Sequence, residues 1–250
     1  EKSAIAGLSE LEEFTAGTSN ARCRGCENQC MLTITRFADG QRYTTGNRCE
    51  KGEGKEKGTN NLPNLYDYKF DRLFNHYKPL TENDSIRGTI GIPRVLNMYE
   101  NYPFWFTFFT KLGFRVRLSP RSTRSVYEYG LETIPSESVC YPGKISHGHV
   151  VSLLQQGVKF IFYPCAPYEL QEDKGAGNNY NCPIVTSYPE VLRNNVDELR
   201  QDDSILYMNP FLPIYDKERL AERLCEELVP QFPALTEKQI YDAVDAAWEE

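Results

Sequence analysis

Beyond residue 85 the chain alternates between short apolar runs and longer segments of helical character, and each run ends at a polar residue, a glycine or a proline. Short apolar strands joined by helices indicate a mostly parallel sheet with helices on both faces, because a parallel neighbour is reached only through a crossover. The sequence therefore predicts an α/β domain of Rossmann-like or flavodoxin-like architecture. The predicted strands are residues 88–92, 114–118, 159–163, 184–186 and 205–208, and the predicted helices are residues 99–112, 141–156, 189–199, 219–228 and 237–248.

The N-terminal part of the chain has a different pattern. Residues 31–37 alternate between apolar and polar side chains, and an Asp39-Gly40 pair separates them from residues 42–45. Two short β-like segments joined by Asp-Gly predict a β-hairpin. Residues 51–61 are rich in Gly, Lys and Glu and have no apolar periodicity, which predicts a solvated linker.

Upstream of the hairpin, residues 8–14 have the spacing of a short amphipathic helix, and residues 16–20 are rich in turn formers. The sequence begins with Glu1 and carries no export signal, so we expect a fragment of a longer protein and a connector to an upstream domain. The predicted regions are a connector at residues 1–20, a cysteine-rich hairpin module with its linker at residues 21–60, and an α/β domain at residues 61–250.

Charge is distributed unevenly along the chain, whose formal net charge is −7. Residues 22–60 carry eight Lys or Arg against five Asp or Glu, whereas residues 197–250 carry five against fourteen. An acidic C-terminal part and a front part of mixed sign argue against a nucleic-acid partner. The most apolar stretch, residues 104–109, is far shorter than the ~20 residues that span a membrane, so no membrane partner is expected.

The chain contains eight cysteines, which we expect to be thiols in a reducing cytoplasm. Clustered cysteines in that compartment are usually metal ligands or redox groups, whereas isolated ones are often small core residues. Cys225, inside the predicted helix at residues 219–228, is interpreted as a core residue.

The first cysteine set has the spacing C-x2-C-x3-C at Cys23, Cys26 and Cys30, and Cys49 follows the hairpin. Because the hairpin returns Cys49 toward the other three, four thiolates can converge tetrahedrally, as in zinc-ribbon-like modules. Zinc and an iron–sulfur cluster both accept four cysteines, so the pattern predicts a metal and leaves its identity open. A metal would stabilise a module too small to fold by burial alone. Four unligated thiols are the alternative.

The second cysteine set is Cys140, Cys165 and Cys182. Cys165 ends a predicted strand, Cys140 precedes Pro142 at the start of a predicted helix, and Cys182 immediately precedes a predicted strand through Pro183. We expect all three to be exposed at the carboxyl edge of the sheet, where parallel α/β folds bind ligands. Ligation of an iron–sulfur cluster is one interpretation and three ordinary core thiols are the other.

Lys144 and His147 follow Cys140 on a predicted helix and share one face at a spacing of three. They are weak candidates for proton transfer, and an ordinary surface role is the alternative. The sequence contains no G-x-G-x-x-G loop and no P-loop, so ATP hydrolysis by these residues is not expected.

Six stretches carry a resemblance to a known family: RCRGCENQCMLTITRF, GNRCEKG, IGIPRVLNMYENYPFWFTFFTKLGF, PSESVCYPGKISHGH, FIFYPC and NYNCPIVTSYPEV. Together they resemble the middle region of the large fused activator proteins of 2-hydroxyacyl-CoA dehydratases, the CoA-substrate-specific enzyme activases of anaerobes. The resemblance implies ATP-driven, low-potential electron transfer, with an ATPase activator domain upstream and a dehydratase-like domain downstream in the same long chain. It also implies that Cys140, Cys165 and Cys182 are the positions of cluster ligation.

Three functional hypotheses follow. The first is a non-catalytic redox or docking domain that relays electrons between its neighbours. The second is a dehydratase-like domain in which an iron–sulfur cluster binds an acyl-CoA and Lys144 or His147 assists proton transfer. The third is a structural adaptor that holds zinc at its N-terminal cysteines and performs no chemistry.

Overall fold

The polypeptide divides into two units, and the boundary along the chain lies between Pro63 and Asn64. A computed structural model describes residues 14–26, 28–53 and 62–250. The N-terminal unit contains a small antiparallel sheet, and the C-terminal unit is an α/β domain with a parallel sheet.

The N-terminal sheet has three strands, and the predicted hairpin forms two of them. Gly40 closes the hairpin turn with a φ of 83°, a conformation that glycine adopts without strain. The Gln41 amide donates a hydrogen bond to the Asp39 carboxylate at 2.8 Å, which supports the same turn. In spatial order the strands are β1 (Ala16–Arg22), β2 (Met31–Phe37) and β3 (Arg42–Thr45).

Strand β1 corrects the sequence-based assignment of residues 16–20 to a turn-rich connector. All of its side chains are exposed, so no alternation of apolar and polar residues marks it as a strand. Backbone pairing with β2 holds it instead, from Ala16 opposite Phe37 to Arg22 opposite Met31.

Two other N-terminal predictions lie largely outside the described residues. Of the predicted helix at residues 8–14, only Phe14 is described, and its ring centroid lies 5.4 Å from that of Phe37. Of the predicted linker at residues 51–61, residues 51–53 are described, and they belong to a short 3₁₀ turn at Glu50–Glu53.

The C-terminal unit is built on a four-stranded parallel sheet. Its strands are β4 (Thr89–Ile92), β5 (Arg115–Leu118), β6 (Phe160–Phe162) and β7 (Leu206–Met208). Their spatial order is β5–β4–β6–β7. This confirms the α/β class, and four of the five predicted strands agree with the structure within one residue at each end.

Helices flank this sheet. They are α1 (Leu65–Phe70), α2 (Tyr102–Lys111), α3 (Arg124–Tyr129), α4 (Tyr141–Gln155), α5 (Pro183–Asn195), α6 (Asp197–Gln201), α7 (Lys217–Gln231) and α8 (Glu237–Glu249). α2 packs against α8 and α8 against α7, whereas α4 packs against α3 and α5. Among the described residues, no helix has both the length and the apolar character that crossing a bilayer requires.

The fifth predicted strand, at residues 184–186, is wrong because these residues form the first turn of α5. Their β-branched run favours a strand, but Pro183 is fixed at a helical φ and stands at the helix start, where its missing N–H costs nothing. The helix predicted at residues 189–199 is also interrupted, since Val196 is extended and separates α5 from α6.

The aromatic residues of α2 contribute to the core of the C-terminal unit. Trp105, Phe108 and Phe109 are buried, and the ring centroid of Trp105 lies 4.8 Å from that of Phe162 in β6. Full burial of each such side chain stabilises the fold by about 2–3 kcal/mol. α2 is therefore a helix wedged between the sheet and a neighbouring helix, and its aromatic cluster belongs to the core.

Candidate functional site

The carboxyl ends of the four parallel strands share one edge of the sheet, which we call the carboxyl edge. From β4 the chain runs outward to β5 and then crosses back to β6, on the other side of β4. The segments that follow β4 and β6 therefore diverge, and ligands bind open α/β sheets at such a point. These segments are residues 93–101 and 163–182.

Cys140 and Cys182 occupy equivalent positions at the start of two helices. Each is an exposed N-cap residue, Cys140 of α4 and Cys182 of α5. Neither side chain bonds to the free amides of its helix, and a proline lies in the first turn of both helices. Both sulfurs therefore lie exposed at the positive end of a helix dipole.

The starts of α4 and α5 lie side by side. Gly143 in the first turn of α4 faces α5 so closely that an added Cβ would stand 3.1 Å from Ile184 Cγ2 and 3.4 Å from Tyr188 Cε2. A larger side chain at this position would push the two helix starts apart. Cys140 and Cys182 thus begin two helices that are in direct contact.

Cys165 differs from the other two cysteines, because it is buried rather than exposed as the sequence analysis expected. It follows β6 and is fixed through its backbone, since its amide donates to the carbonyl of Pro210 at 2.9 Å. Its carbonyl accepts from the amide of Leu212, also at 2.9 Å. Burial, with a smaller contribution from Glu190, raises the pKa of the Cys165 thiol to about 12. Cys165 is therefore a protonated, enclosed thiol.

The described residues contain no group of three or more His, Cys, Asp or Glu side chains placed to hold a metal ion. All eight cysteines are free thiols. The sulfurs of Cys140, Cys165 and Cys182 are thus not assembled into a ligand cage, and none of zinc-ribbon type is formed by the N-terminal residues that the structure describes. Ligation by either set stays a prediction.

The N-terminal cysteines nevertheless lie on adjoining segments. The Cys23 amide donates to the carbonyl of Cys30 at 2.8 Å, which extends the β1–β2 ladder, and the Gly25 amide donates to Cys23 Sγ at 3.3 Å. An added Cβ at Gly25 would lie 3.0 Å from Lys51 Cβ, in the turn that follows Cys49. Cys26 and Cys30 are partly buried, and Cys49 is exposed.

His147, a candidate for proton transfer, is fully buried with a partner on each ring nitrogen. Thr133 Oγ1 donates its proton to the carbonyl of Gly130 at 2.9 Å, so it accepts from His147 Nδ1 at 2.7 Å. Nε2 then accepts from the Tyr188 hydroxyl at 3.1 Å. Burial lowers the pKa of His147 to about 4, so the ring is neutral. Lys144, the other candidate, is half-buried in the first turn of α4.

A second polar cluster at the carboxyl edge was not anticipated from the sequence. The Glu169 carboxylate, on the segment after β6, accepts hydrogen bonds from three asparagine amides. These come from Asn97 at 3.3 Å, Asn101 at 3.2 Å and Asn181 at 2.6 Å. The cluster ties the segment after β4 to the segment after β6. A spacing of four between Asn97 and Asn101 was the available signal, but asparagine is too common in loops for that spacing to predict a site.

A cleft of about 690 Å³ opens beside Glu169. Its lining combines apolar side chains, several of them from α2, α7 and α8, with a polar part that includes Glu169 and three other glutamates. Small-molecule sites usually combine an apolar wall with polar groups that orient the ligand. The apolar wall includes Phe104, Trp105, Ile214, Leu220 and Trp248.

A parallel α/β domain with paired thiols and a cleft at its carboxyl edge defines the general class of the molecule. Residues 89–250, well over half of the chain, match the family model described as CoA enzyme activase uncharacterised domain (DUF2229). The chain belongs to this family, which confirms the resemblance to the activator proteins. No curated protein and no solved structure gave a significant match.

Proposed function

We propose that this chain is a non-catalytic redox and docking domain in the ATP-driven activation of a 2-hydroxyacyl-CoA dehydratase or a related CoA enzyme. Its partners would be an ATPase activator domain and a dehydratase-like domain of the same long chain, within the cytoplasm. Membership of the CoA enzyme activase family supports the setting. One observation supports the redox role: Cys140 and Cys182 are both exposed, and the two helices that they begin are in contact.

Both sulfurs are accessible to a partner, whereas the interior near them is chemically closed. His147 has no ring nitrogen free, and Cys165 is enclosed with a raised pKa. Surface thiols beside a histidine with both nitrogens bonded and an enclosed, protonated thiol fit electron transfer or docking better than proton-transfer catalysis.

An iron–sulfur cluster, if bound, would supply the electron-carrying centre. Ligation by Cys140, Cys165 and Cys182 together would require the segment around Cys165 to open, because that thiol is buried. Ligation would also stabilise the domain, since a metal bound only by the ordered state contributes to folding.

Anaerobic reconstitution with iron and sulfide, followed by electron paramagnetic resonance, tests the redox role. We expect a signal from the reduced wild-type chain that is lost in Cys140→Ser, Cys182→Ser and Cys165→Ala. Cys225→Ser is the matched control, because Cys225 lies partly buried in α7, and it should keep the signal. No signal in the wild type, or an unchanged signal in Cys165→Ala, would remove the cluster from the proposal.

A second candidate function, acyl-CoA binding, is favoured by the cleft beside Glu169. Titration with acetyl-CoA by isothermal calorimetry separates it from a pure relay. Saturable binding that is weakened in Phe104→Ala, a change at a partly buried residue of the cleft, with the variant still folded by circular dichroism, would favour the acyl-CoA-binding domain. A flat titration would favour the relay.

A third candidate is a zinc-containing adaptor. It is favoured by the hydrogen bond from the Gly25 amide to Cys23 Sγ and by the adjoining turn that follows Cys49. Metal analysis of the purified chain tests it. One zinc per chain and no iron, with the zinc lost in Cys26→Ser, would support the adaptor.

A further inference from the structure

Two arginines at the carboxyl edge lack a counter-charge. Arg94 follows β4, and Arg121 follows the neighbouring strand β5. Among the described residues neither forms an ion pair, although many other Lys and Arg side chains do. Glu100, which follows the same strand as Arg94, is bound to Lys69 at 2.7 Å.

The two guanidinium groups share one aromatic ring. Cζ of Arg121 lies 4.5 Å from the ring centroid of Phe70, and Cζ of Arg94 lies 5.2 Å from the same centroid. Arg94 also lies 4.5 Å from the ring centroid of Phe74. Burial lowers the pKa of Arg94, and the nearby charge of Arg121 lowers it further. Two like charges are therefore held together on aromatic faces, an arrangement that an anion would relieve.

The Arg94 side chain keeps unused hydrogen-bonding capacity. Its Nη2 donates to the carbonyl of Ser119 at 3.1 Å, and its Nε is buried without an acceptor. Its Nη1 has no acceptor among the described residues and, unlike Nε, is not fully buried. A guanidinium with free donors matches the oxygens of a phosphate or carboxylate.

The turn at residues 119–122 adds an exposed hydroxyl that His149 holds in place. Ser119 Oγ accepts from the Arg94 amide at 2.7 Å and is hydrogen-bonded to His149 Nδ1, also at 2.7 Å. His149 Nε2 is hydrogen-bonded to Ser122 Oγ at 2.9 Å. Ser122 is exposed, and the His149 tautomer that carries its proton on Nε2 leaves the Ser122 hydroxyl free to donate to an anion beside Arg121.

We propose that Arg94, Arg121 and Ser122 form a binding site for the phosphate group of a ligand at the carboxyl ends of β4 and β5. Phosphate fits better than carboxylate because its tetrahedral oxygens can take donors from three directions at once. The site uses none of the cysteines, so it stands independently of the redox proposal. A free inorganic phosphate and a phosphate carried by a nucleotide share this chemistry.

Titration of the 250-residue chain with inorganic pyrophosphate and, in parallel, with ADP tests the site by isothermal calorimetry at low salt. We expect saturable binding with Kd below about 1 mM. Arg121→Gln should weaken it about tenfold, since one charge-assisted contact is lost. Tighter binding of ADP than of pyrophosphate would identify a nucleotide-borne phosphate, and the reverse would identify the free anion. Either order supports phosphate recognition.

Arg124→Gln is the matched control, because Arg124 lies three residues beyond Arg121 and is paired with Glu128 at 2.8 Å. It should leave both affinities unchanged. Arg94→Lys keeps the charge but removes the planar donor set, and it should also weaken binding while the chain stays folded by circular dichroism. No saturable binding by the wild type, or equal weakening in Arg121→Gln and Arg124→Gln, would overturn the proposal.

Discussion

His147 and His149 are buried without charge in the C-terminal unit. Each ring has two hydrogen-bond partners, and those of His147 fix its neutral tautomer. Burial lowers the pKa of both rings to about 4, and the charge of Arg94 adds a smaller effect at His149. A neutral, doubly bonded ring contributes shape and hydrogen bonds, so these residues act in the structure of α4 rather than on a substrate.

These two rings predict a loss of stability in mild acid. Their pKa lies below the unfolded value of about 6.5, so the unfolded chain binds more protons between pH 6.5 and about 4. The stabilisation is complete above pH 6.5 and is lost as the pH falls toward 4. Each ring contributes on the order of 3 kcal/mol to this loss.

Urea unfolding at pH 7.0 and pH 4.5 measures this effect. His147→Gln should reduce the difference in unfolding free energy between the two pH values. His76→Gln should leave the difference as it is in the wild type, because His76 is exposed. An equal unfolding free energy for the wild type at both pH values would contradict the assignment.

At the scale of elements, the contact between α3 and α4 depends on a missing side chain. A Cβ added at Gly148 would lie 1.6 Å from the carbonyl oxygen of Val126, a position already occupied by backbone. Gly130 approaches from the other side, where an added Cβ would stand 2.2 Å from the Gly148 amide nitrogen. Glycine permits this backbone approach, and no rotamer change of a neighbour would make room for a larger residue.

Gly148→Ala should therefore destabilise the chain by at least about 3 kcal/mol, because the two helices must separate. Thermal unfolding followed by circular dichroism measures the loss. Gly177→Ala is the control, since an added Cβ there meets nothing within 4 Å, and it should change stability by less than about 1 kcal/mol. A Gly148→Ala variant as stable as the control would show that the α3–α4 contact is looser than described.

The elements also show which local signals in the sequence were sufficient. The buried strands β4 to β7 were predictable because their apolar runs are bounded by polar or glycine breaks. Residues 184–186 were not predictable, because their β-branched run indicates a strand whereas the preceding proline indicates the start of a helix. In the structure they begin α5, which packs closely against Gly143. Strand β1 carries no signal in its side chains, since only its backbone pairing defines it.

The candidate site was predictable only in part for a related reason. The position of Cys140 follows from the predicted helix start that it precedes, whereas Cys182 was expected to precede a strand and instead begins α5. The burial of Cys165 depends on its backbone bonds to residues 210 and 212, which are distant in sequence. The amides around Glu169 likewise come from segments about 70 residues apart, so no local pattern marks them.

For the molecule as a whole, the parallel sheet brings together features that the sequence keeps far apart. Its carboxyl edge presents the thiols of Cys140 and Cys182 and encloses that of Cys165. The family match places this arrangement in a CoA enzyme activase setting. We therefore propose that the two accessible sulfurs of Cys140 and Cys182, at the starts of two helices in contact, are the reactive groups of this domain.

Residue-resolved alkylation of the native chain tests this claim most directly. Brief treatment with iodoacetamide at pH 7.5, followed by peptide mass spectrometry, gives the modification rate of each cysteine. We predict that Cys140 and Cys182 react at least about 100-fold faster than Cys165, whose thiol is enclosed and has a pKa near 12. Modification of Cys165 as fast as Cys140 in the folded chain would contradict the account.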